Sequence, residues 1–335
     1  MIKQRKKSIT IKDLADKANV SIASVSRVIN NDPSVRPDIR QAVEQAIKEL
    51  NYEPKTRNRN GITNRIGLLI PDITNPYFSL LIKAIASVAR IQGKAVVLLN
   101  ANMHRDTESE HIQSLQQIGL DGLIHIPFSE TPDPALVELV ESRFPIVFLD
   151  REINIDNICA VTSNNEEGAY QATTYLLNLG HRDIAFISGL PHLSTSVTRF
   201  AGFKRGMAEF GLEPNPDLIL QGDTSLKSGL RETKRLLESK HHFTAIFASN
   251  DSMAFGAWRA LEDAGCSIPQ DVSIIGYDDI PFASFISLTT IAQPGYEIGR
   301  NAMQLLMDLI EGRREPPQRI VLRDSLIIRK SCQKI

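Results

Sequence analysis

The chain of 335 residues has only three cysteines, Cys159, Cys266 and Cys332, and they stand far apart. An odd, scattered set argues against a disulfide framework or a zinc site and suits a reducing, cytoplasmic setting. The seven histidines are equally scattered and show no metal-ligand spacing. No apolar run approaches the roughly 20 residues that span a bilayer, so no membrane association is expected. The basic start, "MIKQRKKSITIKDLADK", is not followed by the apolar stretch of a secretory signal. A G-x-x-x-x-G-K-[ST] phosphate loop and a G-x-S-x-G nucleophile turn are both missing. The chain is therefore read as a non-enzyme without cofactor or resident metal.

What is present is unevenly spread. Residues 1–65 hold 14 Lys+Arg against 7 Asp+Glu, and the other 270 hold 24 against 32, so a net charge of −1 hides a basic head on an acidic body. That asymmetry fits a nucleic-acid-binding module attached to a separate carrier.

Within the head, Thr10-Ile11-Lys12-Asp13 has the spacing of a helix cap followed by an acid in the first turn. Ile11, Leu14, Ala15 and Ala18 then share one face. Asn19 suits a tight turn, Ser21 is placed to cap a second helix through the amide of Ser24, and Pro37 suits the first turn of a third. Three short helices around one core make a helix-turn-helix domain, whose second helix enters the major groove. On that helix "IASVSRVI" turns Val25, Val28 and Ile29 inward and leaves small or hydroxylated side chains with one arginine outside. Ala23, Ser24 and Ser26 permit close approach, Ser21 and Ser24 suit phosphate oxygens, and Ile22 suits a thymine methyl. Arg27 suits a guanine edge, worth about 1–3 kcal/mol of discrimination. Thr10 and Asn30 are counted with these DNA contacts. So are Arg57 and Arg59, which suit the minor groove, from the polar stretch "PKTRNRNGITNR".

From Ile66 onward, runs such as "IGLLI", "GLIHI", "PIVFL", "DIAFI", "AIFAS" and "VSIIG" alternate with amphipathic helical stretches. This predicts an α/β body of doubly wound parallel sheets, with enough units for two similar lobes. Ligands in such sheets bind beyond the carboxyl ends of the strands. The residues found there are the stretch from Pro71 to Phe78, then Asp150-Arg151, Arg199, Asn250-Asp251, Asp278-Asp279 and Gln293. Carboxylates, guanidinium groups and amides match vicinal hydroxyls, and flat rings match the C–H face of a sugar. The set reads as a polyol site without nucleophile or metal.

The stretches "TIKDLADKANVSIASVSRVIN", "ELNYEP" and "IGLLIPDITNPYF" resemble the LacI/GalR family of bacterial repressors over essentially the whole chain. The resemblance implies a three-helix DNA-binding domain at 1–54, a hinge at 55–65 and a two-lobed, periplasmic-binding-protein-like body at 66–335. Three crossings would make lobe one 66–162 with 293–321, and lobe two 163–292 with 323–335. It further implies a homodimer on double-stranded, near-palindromic operator DNA, read by Ile22, Ala23 and Arg27. A hinge helix is also implied, although 55–65 lacks the usual Ala-Arg-x-Leu pattern and carries Gly61 near the leucine's place. "FLDR", "ASND" and "IIGYDDIP" look like the ribose-responsive members, and this resemblance implies nine ligand residues: Asn75, Tyr77, Phe78, Asp150, Arg151, Arg199, Asn250, Asp278 and Gln293. Thr224 departs, because those members carry an aromatic there. The expectation is a cytoplasmic repressor induced by D-ribose. The alternatives are a regulator answering to sucrose, another sugar or a purine, or a sugar-binding receptor.

Overall fold

The computed structural model describes residues 11–29, 35–50 and 63–335. The chain divides into two compact units, with the break between Thr63 and Asn64.

In the first unit, helices α1 (Ile11–Ala18), α2 (Ile22–Ile29) and α3 (Pro37–Glu49) enclose one small core. Its buried members are Leu14 and Ala15 of α1, Val25 and Val28 of α2, and Val43 and Ala46 of α3. Asn19 adopts a left-handed φ of 51° between α1 and α2, a conformation that asparagine tolerates better than most residues. Val20 N then donates to Ala15 O at 3.0 Å and closes the first helix. At the next helix the Ser21 hydroxyl accepts from Ser24 N at 3.1 Å, satisfying an amide that has no partner inside the helix.

The second unit contains two six-stranded sheets. The chain lays down β1 (Arg65–Ile70), α4 (Pro76–Ile91), β2 (Ala95–Asn100), α5 (Arg105–Ile118), β3 (Gly122–His125), α6 (Pro134–Glu141), β4 (Ile146–Leu149) and β5 (Cys159–Ser163). It continues through α7 (Asn165–Asn178), β6 (Ile184–Ser188), α8 (Ser194–Glu209), β7 (Ile219–Gln221), α9 (Leu226–Ser239), β8 (Ala245–Ala248), α10 (Asp251–Asp263), β9 (Ser273–Asp278), α11 (Pro281–Phe285) and β10 (Thr289–Ala292). It ends with α12 (Gly295–Ile310), β11 (Gln318–Leu322) and β12 (Ser325–Ile327). The first sheet has the order β11-β5-β4-β3-β1-β2 and is parallel throughout. The second has the order β12-β10-β9-β8-β6-β7, and only its edge strand β12 runs antiparallel.

Both faces of each sheet are covered, which is why the central strands β3, β4, β8 and β9 are buried at every residue and read as apolar runs. Helix pairs lie close where glycine permits it. A Cβ on Gly256 of α10 would strike the Leu226 carbonyl, and one on Gly229 of α9 would strike the Met253 backbone. Because the chain switches sheets after β5, after β10 and after β11, the carboxyl ends of both sheets face one cleft, spanned by three short crossings.

Candidate functional site

Of the residues expected to touch DNA, Ile22 is 53% exposed. Arg27 and Ser21 are also exposed, and Ser24 is half-buried. Ala23 and Ser26 belong to α2. Thr10, Asn30, Arg57, Arg59 and the hinge-helix segment up to residue 62 lie outside the described residues.

In the second unit, eight of the nine ligand residues that the resemblance implies line one cavity: Asn75, Tyr77, Phe78, Asp150, Arg151, Arg199, Asn250 and Asp278. Gln293 stands directly behind them, its Nε2 donating to Asp278 Oδ1 at 2.8 Å and its Oε1 accepting from the Tyr77 hydroxyl at 3.1 Å. Thr195, Ser196, Thr224 and Ser249 complete the lining. Thr195 and Ser196 lie in the first turn of α8, one turn ahead of Arg199. Their only signal in the sequence was that proximity, since hydroxyl residues at helix starts are common.

The backbone positions these side chains. Asn75 and Asn250 are N-caps: Asn75 Oδ1 accepts from Tyr77 N at 3.1 Å and Asn250 Oδ1 from Met253 N at 2.8 Å. Asn250 Nδ2 is spent on the Thr224 carbonyl at 2.9 Å. Asp150, Thr224 and Asp278 all hold positive φ, at 67°, 74° and 114°. Left-handed backbone at a non-glycine residue costs of order 1–3 kcal/mol and collects at functional sites. These three residues, contributed by segments of both sheets, all line the cavity.

The charges are buried and paired. Arg199 donates through Nε to Asn165 Oδ1 at 2.7 Å and through Nη1 to Ser249 O at 2.6 Å, with Nη2 3.3 Å from Asp278 Oδ1. Its guanidinium lies 3.7 Å above the Tyr277 ring. Arg151 donates to Pro127 O at 3.0 Å and stands 3.8 Å from Asp150 Oδ2, but its buried Nε finds no hydrogen-bond acceptor. Burial pushes the Asp278 carboxyl up to about 7 despite the opposing pull of Arg199. Asp150 is raised for the same reason, with Arg151 and Arg199 opposing. An uncommitted guanidinium N–H beside two reluctantly ionised carboxyls suits a neutral ligand with hydroxyls that both donate and accept. Tyr77 and Phe78, ring centroids 5.8 Å apart and tilted at 54°, supply the flat apolar faces. Among the described residues, no group of three His, Cys, Asp or Glu is arranged to hold a metal ion. None of their helices is long and apolar enough to cross a membrane.

Comparison with known proteins agrees over both units. Residues 10–55 match the bacterial regulatory proteins of the lacI family. Residues 63–331 match the periplasmic binding proteins and sugar binding domain of the LacI family. The HTH-type transcriptional repressor PurR of Escherichia fergusonii is 39% identical over 329 residues, 96% of each chain. A LacI family transcriptional regulator from Enterococcus faecium, solved with bound ribose, is 34% identical, with TM-score 0.73 over 81% of this chain and 99% of its own. The lac repressor dimer bound to operator and the anti-inducer ONPF is 28% identical, with TM-score 0.73 over 98% of this chain and all of its own.

Proposed function

The chain belongs to the LacI family of bacterial regulatory proteins, a DNA-binding transcriptional repressor with a small-molecule effector, and from that premise we propose that its effector is a ribose-like sugar acting as inducer. The observation that carries the sugar is the convergence of Asp150, Arg151, Arg199, Asn250 and Asp278 on one cavity beside the rings of Tyr77 and Phe78. The ribose-bound relative supports this reading. The purine repressor at 39% identity favours a second reading, a purine effector. The cavity's composition supports a polyol: Tyr77 and Phe78 are the aromatic residues of its lining, and Thr195, Ser196 and Thr224 are hydroxyl residues of it. Titration calorimetry of the full-length protein with D-ribose, other sugars and purines tests the choice. Saturation by a purine but not by a sugar would reverse it.

The division of labour follows the expected domains. The head, 1–54, reads a two-fold operator through Ile22, Ala23 and Arg27, with Thr10, Ser21, Ser24, Ser26 and Asn30 around them. The linker, 55–65, carries Arg57 and Arg59 toward the minor groove, and the body, 66–335, holds the sugar between its lobes and joins two copies. The joining surface runs along α4, where Ile91 is 77% exposed, and over α11, where Phe282 and Phe285 are 53% and 80% exposed. Their exposed apolar surface supports this reading. The cavity holds its ligand without transforming it, and the protein acts in the cytoplasm.

A further inference from the structure

Each of the three crossings between the sheets delivers one polar side chain to a single buried knot. Ser163 ends β5, Gln293 follows β10, and Asp324 lies between β11 and β12. The Ser163 hydroxyl sits 2.8 Å from Gln293 Oε1 and 3.1 Å from Asp324 Oδ2. All three residues are more than nine-tenths buried. The backbone joins two of the crossings again, Asn164 N donating to Leu322 O at 2.9 Å.

The knot reaches the cavity by two routes. Gln293 bonds both Asp278 and Tyr77, and the Tyr277 hydroxyl, under the Arg199 guanidinium, donates to Asp324 Oδ2. Gly168 leaves the space that this hydroxyl fills, since a Cβ there would collide with it. The knot is also under-satisfied. A serine hydroxyl has one proton, so Ser163 donates to Gln293 or to Asp324 but not to both. The second Asp324 oxygen, Oδ1, is buried with no hydrogen-bond partner. Half-satisfied polar networks are poor stabilisers compared with apolar packing. A hydroxyl shared by two acceptors gives the knot two arrangements, Ser163 donating to Gln293 or to Asp324, at the point where all three crossings meet.

We propose that Ser163 and Asp324 are positioning residues that couple the occupant of the cavity to the setting of the two lobes, the Ser163 hydroxyl turning its O–H from Gln293 Oε1 to Asp324 Oδ2 as the cavity fills. A ligand hydroxyl that takes over Asp278 releases Gln293 Nε2, the amide turns, and the Ser163 bond to Asp324 becomes the one retained. This step rests on the reading of the cavity as the effector site. The linkage among the crossings does not.

Two measurements on the full-length protein decide it, each with wild type, Ser163→Ala and Asp324→Asn. The first is amide hydrogen exchange without ligand. Either substitution is expected to speed exchange about fivefold, the worth of one net hydrogen bond, at 163–165, 292–295 and 322–325 together. Acceleration confined to the substituted segment would overturn the proposal. The second uses D-ribose as probe and an operator selected from random duplexes. Both variants are expected to bind D-ribose within about threefold of wild type, yet to need at least about tenfold more of it to release the operator, a coupling loss of ordinary allosteric size. Release at wild-type concentrations would overturn it. Absence of ribose binding by the wild type would strike the sugar reading alone, leaving the exchange comparison to decide the knot.

Discussion

Asp278 shows how much a single residue contributes here. Its backbone is left-handed, its carboxyl is buried, and Arg199 and Gln293 both address the same oxygen. With a folded pKa of about 7 against an ordinary value of 3.8, the folded protein holds a proton that the unfolded chain has lost. This group therefore erodes stability as pH climbs from about 4 to 7 and adds no further penalty above that. Sugar hydroxyls donate to the ionised form, so D-ribose affinity should rise from about pH 6 to pH 8, by roughly tenfold, with a proton released on binding at the lower pH. Calorimetry in buffers of different ionisation enthalpy reads both effects, and a flat profile would contradict the assignment. In the other unit Arg27 is the proposed guanine contact. Arg27→Ala should cost about 1–3 kcal/mol of operator affinity and relax sequence choice at one base per half-site, as measured by binding to a library of operator variants.

At the scale of elements, Asp251 ties the start of α10 to two neighbouring segments. Its Oδ1 accepts from the Thr290 hydroxyl of β10 at 2.6 Å and its Oδ2 from Ile280 N, just before α11, at 2.9 Å. Gly276 of β9 makes the room, because a Cβ there would meet the carboxylate. Asp251→Ala strands both donors in the interior and should destabilise the body by about 2–5 kcal/mol in urea unfolding. A loss within 0.5 kcal/mol, the ordinary range for surface changes, would contradict that role. Most elements were legible in the sequence for a plain reason. Strands covered on both faces are apolar at every position, and the helices between them keep a polar side. β11 and β12 escaped notice because they lie at sheet edges: the burial of "QRIVL" alternates and "SLI" is three residues long. The cavity residues were legible because the strand ends point to them. The knot behind them was not, since Ser163 meets partners 130 and 161 residues away and no local pattern marks any of them.

For the whole molecule, the account requires two copies and a signal that passes through each. The exposed rings of α11 supply a test of the first requirement. Phe282→Glu with Phe285→Glu places two charges where an apolar partner is expected. The double variant should sediment as a monomer and lose most operator affinity. A dimer of unchanged stability would move the interface elsewhere. The second requirement is the central claim, that a sugar held in the body weakens the grip of the head on DNA. The most direct measurement is the operator dissociation constant of the full-length protein with and without saturating D-ribose, at one fixed salt concentration because phosphate contacts make affinity salt-dependent. The predicted result is weakening by about 5- to 150-fold, a coupling of roughly 1–3 kcal/mol. An unchanged or tighter complex would contradict it.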